Sequence, residues 1–106
     1  MNLDIQTEHV VMRPEWHRMI DDWIETCARR YPGFIGIDLT LRHAEHRHRG
    51  EEVEAVATAR GPSLRVARQA EVMDVALRGA LDALAQELAA HETTDRRGDA
   101  GTGPRQ

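Results

Sequence analysis

Leu3, Ile5 and Thr7 alternate with Asp4 and Gln6, which predicts a short half-buried strand over Leu3–His9. The period then changes. Trp16, Met19, Ile20, Trp23, Ile24 and Cys27 recur at steps of three and four, the apolar stripe of an amphipathic helix. Pro14 suits its first turn, where a missing N–H goes unneeded, and Glu15 complements the positive end of the helix dipole. Arg29 and Arg30 suit its last turn, and Tyr31-Pro32-Gly33 ends it. Over Phe34–Arg42, Ile35, Ile37, Leu39 and Leu41 alternate with Gly36, Asp38, Thr40 and Arg42, the clearest strand pattern in the chain.

HAEHRHRGE follows and predicts a polar loop. Val53–Arg60 reads as a third strand, with Val53, Ala55, Ala57 and Ala59 inward and Glu54, Val56, Thr58 and Arg60 outward. Alanine is a weak strand former, so this element depends on its surroundings. Gly61-Pro62 turns the chain, and Leu64–Arg68 returns as a hairpin partner. Met73, Leu77, Ala80, Leu81, Leu84 and Leu88 form the buried stripe of a helix over Glu71–His91, in which Gly79 predicts close packing against a neighbour. Residues 92–106 are rich in Gly and charge with little to bury, the pattern of a disordered C-terminal tail, which leaves residues 1–91 as the folded domain.

The order β-α-β-β-β-α makes an α+β two-layer sandwich, a four-stranded sheet with two helices on one face. The first crossover is expected to be right-handed and parallel, and the last two strands antiparallel. The outer sheet face, with Thr40, Arg42, Thr58, Arg60 and Arg65, is left for solvent or a ligand.

A length of 106 residues suits one domain. No run approaches the roughly 18–20 apolar residues of a membrane span, and the start lacks the basic and apolar runs of a secretory signal, so a cytoplasmic protein is expected. Catalytic signatures are missing: there is no G-x-S-x-G, P-loop, dinucleotide fingerprint or H-E-x-x-H, and no enzyme is expected. Cys27 lies on the apolar stripe and reads as a core residue, while Asp21 and Asp22 diverge by about 100° on a helix and share no substrate.

Fourteen basic residues against 18 acidic ones give a net charge of −4, where a nucleic-acid binder is more often basic. All 14 are Arg, which grips phosphate as a bidentate fork and stacks on bases. Between Arg42 and Arg68 the chain is locally richer in cations, with Arg42, Arg47, Arg49, Arg60, Arg65 and Arg68 and the histidines His43, His46 and His48. One basic surface on an anionic molecule steers it toward a polyanion. The three histidines, with Glu45 or Glu51, could also hold zinc or nickel. However, H-x-x-H-x-H matches no common zinc spacing and the flanking arginines repel a cation. A phosphate-facing loop suits the composition better, a solvated polar loop nearly as well, and no metal or other cofactor is expected.

In order, LDIQTEHVVMRPEWHRMIDDWIE, FIGIDLTLRHAEHRHRGEEVEAVATARG and VMDVALRGALDALAQEL resemble the ribosome hibernation-promoting factor family. That family is also described as ribosome-associated inhibitor A, protein Y or sigma-54 modulation proteins. The likeness covers about residues 2–91 and rests on the order and spacing of all three segments. It implies a fold like that of double-stranded-RNA-binding domains. It also implies docking on small-subunit rRNA near the decoding centre, which holds idle ribosomes inactive without chemistry. Contacts would fall to Arg18, Arg42, Arg47, Arg49, Arg60, Arg65, Arg68 and Arg78 with His43, His46 and His48. The chain would act as a monomer or weak homodimer, with no membrane and no small-molecule substrate. The resemblance departs where the family usually has Lys or Arg on the last helix and this chain has Ala83, Gln86 and Glu87. It departs also where the family often has an aromatic residue and this chain has Asp74, and where the first helix usually has Lys and this chain has Trp23 and Thr26. A divergent protein-interaction module on the same scaffold is the alternative.

Overall fold

The computed structural model describes the backbone of residues 2–48 and 50–101, and the side chains of residues 2–44 and 50–92. The chain runs β1 (Asn2–Glu8), α1 (Pro14–Arg30), β2 (Gly36–His48), β3 (Glu51–Arg60), β4 (Leu64–Ala70) and α2 (Met73–Gly101). The four strands form one sheet in the order β1-β2-β3-β4, with β1 parallel to β2 and the other neighbours antiparallel. β1 and β4 therefore run the same way, and the helices that follow them both begin at the same end of the sheet.

Strand register sorts the side chains into rows. Leu3–Ile37–Ala59–Leu64, Ile5–Leu39–Ala57–Val66 and Thr7–Leu41–Ala55–Arg68 lie on the helix side. Ile37, Leu39, Leu41 and the three alanines are buried against Trp16, Ile20 and Cys27 of α1 and Leu77, Leu81, Leu84 and Leu88 of α2. The alanines are what the packing requires. On a central strand beneath α2, small side chains let the leucines of the helix settle onto the sheet, so burial overrides weak strand propensity. α1 and α2 are parallel. Trp16 Nε1 donates to Asp74 Oδ1 and Trp23 Nε1 to the Leu81 carbonyl at 2.9 Å, both across the same sequence separation of 58. Trp23 also meets the Phe34 ring edge-on, with centroids 5.6 Å apart.

Three expectations are corrected. HAEHRHRGE is not a loop: β2 continues through His48 and β3 starts at Glu51, with an irregular register between His43 and His48. Ala44 is the one apolar side chain in HAEHRHRGE, so no apolar alternation marks these ends of the two strands. The last helix does not end at His91, because its backbone runs on to Gly101. No Pro or Gly interrupts positions 92–97, and extending an existing helix costs less than starting one. Gly79 is not tightly packed. A methyl there would meet the Arg68 side-chain stem at an ordinary 3.6 Å.

Candidate nucleic-acid interface

The outer sheet face is built from the alternate rows, Asn2–Gly36–Arg60, Asp4–Asp38–Thr58–Arg65, Gln6–Thr40–Val56–Ala67 and Glu8–Arg42–Glu54–Gln69. It carries Arg42, Arg60 and Arg65 beside Asp4, Glu8, Asp38 and Glu54, so it is not a basic face. The guanidinium groups were expected to stand free together; instead Arg42 lies opposite Glu54 in the β2–β3 register, and Arg60 reaches the diagonally placed Asp38. Arg42 donates from Nε to Glu54 Oε1 at 2.8 Å, its Nη2 lies 2.8 Å from the same oxygen, and Gln69 Nε2 donates to Glu54 Oε2 at 3.3 Å. Arg60 grips Asp38 with both Nε and Nη2, and Asp4 Oδ2 stands 3.9 Å away. Val56, expected to face solvent, is 7% exposed in the middle of this polar face.

The Arg60 hydrogen bonds hold the Asp38 carboxyl below its ordinary pKa, and Asp38 in turn raises that of Arg60. A lowered carboxylate pKa contributes stability that is present above the unfolded value of 3.8 and is lost as pH falls through the folded one. Asp38→Asn is therefore expected to be less stable than the parent at neutral pH, with the gap closing below pH 3.8. Urea midpoints measured from pH 7 down to pH 2.5 check this, and a gap that stays constant would remove the pair from the stability account.

The other proposed contact residues are spread around the body. Arg65 is exposed on the outer face and has no carboxylate within ion-pair distance among the described residues. Arg68 falls on the opposite side, because its register partner Ala55 faces the helices; it lies beside Gly79 of α2 and donates to the Ala67 carbonyl. Arg18 is exposed on α1, and Arg78 is exposed on α2 in a shallow depression with Asp74 and Asp82. α1 holds four carboxylates against three arginines, and α2 as far as Glu92 holds four against one, so the helix layer is acidic. The side chains of His46, Arg47, His48 and Arg49 lie outside the described residues. No cluster of three metal-ligating side chains occurs among the described ones. Cys27 is buried, and burial raises its thiol pKa while Arg30 opposes the shift, consistent with a core residue.

His43 is the last helix-side residue of β2 before its register with β3 becomes irregular, and it is exposed at the end where both helices start. There it lines an open cleft of about 540 Å³ with His9, Val10, Val11, Arg13, Trp16, Val53, Val72, Met73 and Asp74. His9 and Arg13 were not among the expected contact residues. Nothing in the spacing of positions 9, 13 and 43 relates them; only the parallel β1–β2 pairing brings the link after β1 beside His43. Among the described residues no helix is long and apolar enough to cross a membrane.

Residues 3–96 match the family model described as sigma 54 modulation protein / S30EA ribosomal protein. No curated protein matches the sequence. Among solved structures, the chain is similar to a ribosomal subunit interface protein from Coxiella burnetii. The identity is 12%, the TM-score is 0.58, and the match covers 88% of this chain and 99% of that one. With a match spanning all four strands, α1 and most of α2, the chain belongs to the sigma 54 modulation protein / S30EA ribosomal protein family.

Proposed function

We propose that this chain is a ribosome-associated factor that binds small-subunit rRNA near the decoding centre and keeps idle ribosomes inactive. The family match across residues 3–96 carries this reading, and the fold shared with a ribosomal subunit interface protein supports it. The role is steric and electrostatic, with no bond made or broken and no cofactor needed. Arg42 and Arg60, engaged by Glu54 and Asp38, order the sheet face and supply less to phosphate. Arg18, Arg65, Arg68 and Arg78 have no carboxylate within ion-pair distance among the described residues. Together with the β2–β3 hairpin residues His43, His46, Arg47, His48 and Arg49, they are the phosphate contacts of the proposal.

The protein should cosediment with isolated small subunits, acting in the cytoplasm as a monomer or weak homodimer. Each phosphate contact releases counterions, so binding should weaken steeply as salt rises. Folded protein that fails to cosediment at 50 mM salt would overturn the reading. The acidic helix layer favours a second one, a protein-interaction module that meets a basic partner. A stable complex recovered unchanged after ribonuclease treatment would decide for it.

A further inference from the structure

We infer that the cleft at the shared starting end of α1 and α2 is an RNA contact that takes one unstacked nucleotide, with its phosphate beside Arg13, His9 and His43. The inference rests on the ribosome-binding reading and gives it a place on the molecule.

Charge is the first ground. Arg29, Arg42 and Arg60 each lie within 4 Å of a carboxylate. Arg13, His9 and His43 have no such partner among the described residues; the Arg13 guanidinium instead lies 5.8 Å from the centre of the Trp16 ring. The one carboxylate lining the cleft, Asp74, accepts the Trp16 indole N–H. A concave site on an otherwise anionic protein thus presents one permanent cation and two imidazoles beside a single carboxylate, which the indole N–H holds in place without cancelling its charge.

The second ground is the walls. Val11 is 83% exposed and Val72 54%, while Val10, Val53 and Met73 continue the apolar lining inward. His9, at a φ of +60°, turns the chain so that Val10 packs on the core while Val11 stays outside. Valines beside cations suit a ligand that is flat and apolar on one part and anionic on another. Single-stranded RNA presents this combination once a base leaves its stack. Size agrees: the cleft falls within the roughly 300–1,000 Å³ of sites that enclose a small ligand, and its open mouth lets a strand enter and leave.

The test is a titration of the isotope-labelled full chain, followed by amide resonances, with a single-stranded RNA hexanucleotide. Inorganic phosphate and an uncharged nucleoside are titrated separately. RNA should shift the amides of His9 to Arg13, His43 and Val72 to Asp74, whereas phosphate and nucleoside alone bind at least tenfold more weakly. Arg13→Gln should weaken RNA binding about tenfold and make the slope of log K against log salt shallower by about 0.7, the value for one phosphate contact on a single strand. His43→Gln should weaken it less, and Arg29→Gln, outside the cleft, not at all; unchanged urea midpoints exclude unfolding as the cause. RNA shifts confined to the sheet face around Arg65, equal binding by the Arg13 and Arg29 variants, or cleft shifts produced only by a ribosomal protein would each overturn the cleft assignment. Ribosome cosedimentation separates the two readings. If Arg13→Gln cosediments as well as the parent, the cleft falls and the ribosome reading stands. If the parent does not cosediment while the hexanucleotide still shifts the cleft, the reverse holds.

Discussion

Gly61→Ala is expected to destabilise the protein by about 3 kcal/mol, a large share of the roughly 5–15 kcal/mol that holds a domain of this size. Gly61 opens the β3–β4 turn at a φ of +106°, which L side chains rarely adopt. Holding a non-glycine residue in such a region costs about 1–3 kcal/mol before any contact is counted. A methyl there would also lie 2.1 Å from the Gly33 carbonyl oxygen, which is backbone and cannot rotate aside. Relief requires the two turns to separate. That strains the adjoining hydrogen bond from Ile35 N–H to the Arg60 carbonyl and loosens Phe34, which is buried next to it. Equilibrium urea unfolding measures the effect, and a loss below 1 kcal/mol would mean that this end of the sheet is far more pliable than its geometry implies.

Trp23→Ala is expected to cost about 3–5 kcal/mol, the usual range for removing a large aromatic side chain from a packed site. Trp23 joins three elements: its ring meets Phe34 at the start of β2, its stem sits on α1, and its indole N–H reaches the Leu81 carbonyl of α2. Packing outweighs the hydrogen bond here. Leu81 lies in mid-helix, so its carbonyl keeps an intrahelical partner when the indole is gone, and the net value of one such bond is about 0.5–1.5 kcal/mol. Trp23→Phe, which keeps a ring and loses the donor, should therefore recover more than half of the loss. Thermal unfolding of the two variants checks the order; equal losses would place the energy in the hydrogen bond. Trp23 thus ties the two helices together.

Much of the architecture was readable from residue order. The alternation over Phe34–Arg42 and the apolar stripes of both helices each express a local period, and the strands and helices form in the order those periods predict, although β2 starts only at Gly36 and leaves Ile35 exposed. The family resemblance held for the same reason, since it rested on the order and spacing of these elements. The hairpin was misread because its residues are polar on both sides, so their alternation left no apolar face to detect. The end of α2 was misplaced because loss of an apolar stripe marks where packing stops, and a helix persists past that point.

The contact surface was less readable. A count of arginines between positions 42 and 68 suggested one basic side, but whether a guanidinium is available depends on what stands opposite it. Arg42 meets Glu54 and Arg60 meets Asp38 across distances of 12 and 22 residues, while Arg68 turns to the helix side. Likewise His9, Arg13 and His43 share a cleft only because β1 pairs with β2 and both helices begin at one end. The sequence by itself determined the elements, their order and the helix-facing core, because side-chain period is a property of neighbours along the chain. Only the tertiary structure decided which charges are neutralised and which converge, because strand register brings together residues that no local pattern relates.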